Sequence, residues 1–144
     1  MAGPADWPEV AALRTRVFVD EQGVPPEIER DDADAAAVHA VSRDDAGRVV
    51  ATGRLIERSG PTGERTAVIG RMAADPAVRG QGYGAAVLAE LHRQAALRGH
   101  RQVELHAQLT ARGFYERAGY TAVGEEYEEA GIRHITMRRR LADD

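Results

Sequence analysis

Hydrophobic positions along the chain follow two periods, and the switches between them set out the elements. Val10, Leu13, Val17 and Phe18 recur at helical spacing and predict a helix over residues 6–21, with Asp6 as N-cap and Pro8 in the first turn. Gly23, Val24, Pro25 and Pro26 break it; Pro26-Glu27-Ile28-Glu29 is compatible with a short second helix, and the acidic run 29–34 reads as a solvated loop. Period-two alternation then predicts strands over residues 35–43 and 48–58, joined as a hairpin by Asp44-Asp45-Ala46-Gly47. A third strand covers residues 67–74 and ends at Asp75-Pro76. Val87, Leu88, Leu91 and Ala95 return to helical spacing, with Gly99 as the stop. A short strand over 102–106, a helix capped by Thr110 and ended by Gly119, and two final strands over 120–126 and 132–139 complete the pattern. The order predicts one α+β domain over residues 1–144 with a mixed sheet.

Composition narrows the class. The 144 residues, 43% hydrophobic and 29% charged, suit one soluble domain. A net charge of −4 gives no electrostatic footprint for nucleic acid, and no apolar run reaches membrane-spanning length. Without cysteine there is no disulfide, thiolate nucleophile or sulfur-ligated metal, and a cytoplasmic location follows by default. The histidines have no close spacing of a kind that ligates a metal, so none is expected. All 19 basic residues are arginine, which removes lysine as Schiff-base former, general base or acylation site.

The stretch Arg79-Gly80-Gln81-Gly82-Tyr83-Gly84 lies between a strand and a helix. A glycine turn at a helix N-terminus offers unpaired N–H groups, the positive end of the helix dipole and close backbone approach, and Arg79 adds charge. It predicts an anion cradle, suited to a diphosphate. Gly80-x-Gly82-x-x-Ala85 also fits a dinucleotide fingerprint, with Glu104 at about the required distance of 20 residues. Residues 75–79 separate this turn from its strand, however, and too little chain follows for a doubly wound sheet. A Walker-type loop lacks its Lys and Ser/Thr. A glycine turn without ligand remains open on glycines alone.

Arg79-x-x-Gly82-x-Gly84 resembles the pyrophosphate loop of the Gcn5-related N-acetyltransferases, the GNAT family. Gln108-x-x-Ala111-x-x-Phe114-Tyr115-x-x-x-Gly119-Tyr120 resembles that family's second signature, with Gln108 where Asn is commoner. The runs Leu13-Arg14-x-Arg16-Val17-Phe18-Val19-Asp20-Glu21-Gln22, Asp31-Asp32, His39 and Glu129-Ala130-Gly131-Ile132-x-His134-Ile135-x-Met137 resemble its ElaA/YjcF-like branch. The resemblance implies a twisted, mostly antiparallel sheet of about six to seven strands, flanked by helices and splayed at an acyl-CoA cleft. It also implies a strand ahead of the first helix, which is either rudimentary here or encoded upstream of Met1.

By that resemblance the chain is a bacterial N-acetyltransferase that moves an acetyl group from acetyl-CoA to a primary amine by direct attack, without a metal. The alternative is a non-catalytic acyl-CoA-binding sensor. The resemblance places the pantetheine arm against the backbone of Met72 and Ala74, and an oxyanion-hole N–H near Met72 or Ala73. The pyrophosphate falls to Arg79, Gly80, Gln81, Gly82, Tyr83 and Gly84, with Gln108 and Tyr115 closing the cofactor site. Tyr115, a phenol protonated at neutral pH, is the candidate general acid for the CoA thiolate. Glu21 and His134 rank first as substrate-side residues, ahead of His39 and His106, and a water chain can serve instead of a fixed base. Glu125, Glu126, Glu128 and Glu129 form an acidic cluster that reads as solvated surface, or else as an attractor for a small cationic amine rather than an anionic acceptor. A homodimer is compatible, with the C-terminal strand supplying an edge.

Overall fold

The computed structural model describes residues 6–24, 34 and 36–141. The short helix expected at residues 26–29, most of the acidic run 29–34 and any strand ahead of the first helix lie outside the described residues.

The first helix changes winding midway. α1, Trp7–Arg14, is α-helical, and Thr15–Glu21 continues it as π-helix. Asp6 stands at its N-cap as expected, but its side chain makes no cap bond; the carboxylate pairs with Arg43 of the first hairpin. Six strands follow: β1 (Val38–Arg43), β2 (Val49–Ser59), β3 (Arg65–Ala74), β4 (Gln102–Gln108), β5 (Thr121–Glu129) and β6 (Ile132–Arg140). Between β3 and β4 runs α2 (Tyr83–Leu97), and between β4 and β5 lies the short α3 (Arg112–Arg117). Thr110 sits in a 3-10 turn ahead of α3, whose N-cap is Ala111 with no side-chain cap bond.

The sheet order is β1-β2-β3-β4-β6-β5, antiparallel except for β3 and β4. This is the α+β architecture with a mostly antiparallel sheet that the resemblance implied. The C-terminal strand is not an edge: β6 lies between β4 and β5, so β1 and β5 bound the sheet. A two-residue turn at Ala130 (φ 51°) and Gly131 (φ 77°) joins β5 to β6, and positive φ at both suits the right-handed twist of a hairpin.

Two helical layers cover the sheet. Val87, Leu88, Leu91 and Ala95 of α2 pack on one face against Leu55, Ile69, Leu105 and Met137. Leu13, Val17 and Phe18 pack on the other against Val49 and Ala73. β2 is therefore buried from Val49 through Leu55 on both faces. No helix among the described residues is long and apolar enough to cross a membrane.

The parallel pair β3–β4 does not zip along its length. Only Ala67, Val68 and Ile69 pair, with Val103, Glu104 and Leu105. Beyond them β3 bulges: Thr52 faces Ala73 and Arg54 faces Gly70, leaving Arg71 and Met72 opposite Gly53. Arg71 takes φ 51°, a left-handed conformation that costs a non-glycine residue about 1 kcal/mol and bends the strand. The strands part there and leave a V-shaped gap.

Candidate active site

The gap opens into a cleft of about 730 Å³ on the α1 side of the sheet. Met72, Ala73, Ala74 and Arg79 line one wall, and Gln108 and Tyr115 the other. Asp75 N–H donates to the Val50 carbonyl at 2.8 Å, so the alternation of an antiparallel ladder turns the backbone groups of Ala74 away from β2, toward the gap. An extended ligand can therefore pair with this edge as a strand would.

The glycine loop follows a 3-10 turn capped by Asp75, which accepts from the Ala77 N–H at 3.0 Å. Gly80 (φ 86°) and Gly82 (φ 90°, ψ 0°) are left-handed, and neither has an atom within 4 Å of where a Cβ would stand. Backbone conformation demands glycine here, and the space beside it is open. The first bond of α2 runs from Ala86 N–H to the Gly82 carbonyl at 3.0 Å, and no side chain caps the helix. The N–H groups of Tyr83, Gly84 and Ala85 thus lack helical acceptors and face an anion-ready terminus. The Gln81 N–H is already given to the Val78 carbonyl at 3.2 Å, and Ser42 anchors the Tyr83 carbonyl at 3.0 Å.

Arg79 is held on three sides. Its Nε donates to the Ala74 carbonyl at 3.1 Å, and its two terminal nitrogens reach Glu21 at 2.7 and 2.8 Å. This bidentate pair ties the glycine loop to the end of the π-helical turn. The Arg79 hydrogen bonds hold the Glu21 carboxyl below the usual carboxylate range, which makes Glu21 a poor proton acceptor and a good positioner of Arg79.

Tyr115 is buried at 7% exposure, with Phe114 and Tyr120 edge-on at 5.1 and 5.7 Å. No hydrogen-bond partner for its hydroxyl stands among the described residues. Burial pushes the phenol well above its ordinary range, so it stays protonated throughout the neutral region.

His134 lines the cleft beside Gln108, its neighbour across the β4–β6 ladder. Its Nδ1 is 2.7 Å from the Ile132 carbonyl, which assigns the proton to Nδ1 and leaves Nε2 as the basic nitrogen. Nε2 lies 3.8 Å from Glu129, and the ring stacks on Tyr127 at 5.9 Å. Gln108 donates to Gln22 at 2.7 Å and bridges the cleft from β4 to α1's end. His106 also lines the cleft, with Nε2 3.3 Å from Glu104, whereas His39 contacts the Asp34 carbonyl away from it. Of the acidic cluster only Glu129 reaches the cleft; Glu126 pairs with Arg133 outside it.

Sequence reasoning passed over Phe18, Gln22, Arg54 and Arg58, which also line the cleft. Arg54 belongs to a buried group in which Asp34 accepts from Arg14 and Arg54, each at 2.8 Å. Burial disfavours the Asp34 carboxylate, yet the two guanidinium groups outweigh it and hold its pKa low. The alternation Arg54, Ile56, Arg58 was the available signal for a polar stripe on one strand face.

Known proteins bear on this geometry. Residues 8–141 match the acetyltransferase (GNAT) domain family. A UPF0039 protein of Schizosaccharomyces pombe is 32% identical over 136 residues, covering 92% of this chain and 87% of its own. The crystal structure of an acyl-CoA N-acyltransferase from Pseudomonas aeruginosa superposes with a TM-score of 0.79 at 33% identity, covering 96% of this chain and 92% of its own. Escherichia coli ElaA superposes with a TM-score of 0.80 at 28% identity, covering 96% and 92%. A yeast relative means that the similarity does not by itself mark a bacterial source. The chain belongs to the GNAT acetyltransferase family, whose chemistry is acyl-CoA-dependent acetyl transfer.

Proposed function

We propose that this protein transfers the acetyl group of acetyl-CoA to a primary amine of a small acceptor by direct attack. The observation that carries the proposal is the conjunction of an open β3 edge with an uncapped, glycine-led helix terminus at one end of the cleft. The residues fit the cofactor. Unpaired N–H groups at Tyr83 and Gly84 and the Arg79 charge suit a pyrophosphate, and the Ala74 backbone suits a pantetheine arm. Bound acetyl-CoA would supply an activated thioester carbonyl.

The amine nitrogen attacks that carbonyl carbon, the C–S bond breaks, and the sulfur leaves with the bonding pair. Tyr115 donates its phenolic proton to the departing sulfur, and the nitrogen gives up a proton to His134 Nε2, directly or through water. A backbone N–H near Met72 or Ala73 stabilises the developing oxyanion. Glu21 serves by orienting Arg79. With no cysteine in the sequence, a cysteine acyl-enzyme is excluded.

The test is thiol release from acetyl-CoA across a panel of primary amines, with product identified by mass. Amine-dependent CoA release with a matching acetamide supports the proposal. Acetyl-CoA binding without any amine-dependent turnover would instead assign the domain to a sensor.

A further inference from the structure

The acceptor half of the cleft carries an arginine that no hydrogen bond or ion pair among the described residues engages. Arg54, Ile56 and Arg58 project from β2 onto the same sheet face and all line the cleft. Arg54 is committed to Asp34. Arg79, at the far end, stands with the glycine loop, braced there by Glu21. Arg58 is exposed, and among the described residues it has no hydrogen bond or ion pair. Its charge is nevertheless felt across the cleft at Tyr127, where it opposes the upward push of burial on that phenol. Tyr127 stacks on His134, so Arg58 addresses the same space as the candidate base from the opposite wall.

Resting on the acetyltransferase reading above, we infer that Arg58 is the docking point for an anionic group on the acceptor, carried well away from the amine that reacts. The spacing follows from strand geometry. Arg58 lies five positions along β2 from Gly53, which faces the bulge beside the reacting carbonyl. At roughly 3.3 Å per residue the two are about 16 Å apart. Tyr127 lies across the sheet from β2, so the arginine's reach toward it runs transverse to this separation and takes little from it. Amine and anion must then stand well beyond the span of an α-amino acid in the acceptor. An α-amino acid is too short for this; an ω-amino acid or a short peptide with both termini available fits. Glu129, beside His134, is the complementary group for the ammonium form on arrival.

The experiment is a ladder of acceptors of graded length: glycine, 4-aminobutyrate, 6-aminohexanoate and 8-aminooctanoate, each against the alkylamine lacking the carboxylate. The expected result is a kcat/KM that rises along the carboxylate series beyond glycine, with the preferred length at least about tenfold above its matched alkylamine, as one charge-assisted contact provides. Arg58→Ala should abolish that ratio by raising the acceptor KM, with kcat little changed, and Arg58→Lys should restore part of it. Circular dichroism checks that both variants fold. Alkylamines served as well as their matched carboxylates, a ratio unmoved in Arg58→Ala, or turnover confined to amines without an anion would each overturn the inference while leaving acetyl transfer intact. Failure to bind acetyl-CoA, or binding without turnover of any amine, would overturn both.

Discussion

Removing a single oxygen from Tyr115 separates chemistry from architecture. In Tyr115→Phe the ring keeps its edge-on contacts with Phe114 and Tyr120, at 5.1 and 5.7 Å. The hydroxyl surrenders no hydrogen bond to the described residues, so folding loses nothing that its removal could expose. The change in stability should stay within about 0.5 kcal/mol, and burying phenyl in place of phenol favours the variant if anything. Catalysis has more to lose. A positioned proton donor contributes roughly 10²- to 10⁴-fold, or about 2.7 to 5.4 kcal/mol of barrier. Single-turnover CoA release, which slow product departure cannot mask, should fall by at least 10²-fold. The calorimetric affinity for acetyl-CoA and the melting temperature should match the parent. Because burial raises the phenol's pKa, the parent should also show no alkaline rate loss from Tyr115 near pH 10, where an exposed tyrosine ionises. A single-turnover rate within twofold of the parent would refute the assignment, and a melting temperature several degrees lower would make Tyr115 a packing residue.

Two further outcomes follow from the loop and the core. Gly82→Ala places a Cβ in open space but on a left-handed residue, at a cost of about 1–2 kcal/mol. The melting temperature should drop modestly while acetyl-CoA affinity falls about tenfold, and unchanged affinity would sever the loop from the cofactor. His92 tests the pH dependence: burial, and then the Arg139 charge, lower its pKa from 6.5 to about 4. Arg139 donates to Nδ1 at 2.8 Å, so the neutral ring is the folded form. A depressed histidine binds its proton more readily in the unfolded chain. Its contribution is therefore complete above pH 6.5 and lost progressively as pH falls toward 4. Allowing for the ring's partial exposure, that amounts to about 1–3 kcal/mol. Urea midpoints at pH 7.5 and 5 should converge in His92→Phe relative to the parent; equal losses in both proteins would acquit His92.

The parts of this structure that sequence reveals are those set by local rules. Gly80 and Gly82 announce a left-handed turn, the spacing of Val87, Leu88, Leu91 and Ala95 announces the helix after it, and turn residues mark the hairpins. The winding change at Thr15–Glu21 leaves no such mark, because the same apolar stripe serves an α- or a π-helix. The bulge is silent for the opposite reason: Arg71 is left-handed without being glycine, held so by the pairing of Gly70 and Ala73 with β2 on either side of it and not by its own preference. Caps read from residue type alone set Asp6 at the right position without its bond and misplaced Thr110, since Arg43 competes for the Asp6 carboxylate and a 3-10 turn absorbs Thr110. Functional pairs were least legible. Glu21 ranks in the sequence as a substrate-side residue, until the fold brings Arg79, 58 positions away, onto it. The acidic run near residue 128 reads as solvated surface or else as an acceptor attractor, and strand pairing turns all of it but Glu129 from the cleft.

The most direct test of the whole account is titration calorimetry of the purified protein with acetyl-CoA, using NADH as the control. The account predicts binding on the order of micromolar, absent for NADH and weakened in Arg79→Ala, whose charge completes the anion site. No detectable heat with acetyl-CoA would contradict it, and would leave the glycine loop as a turn that serves the fold alone.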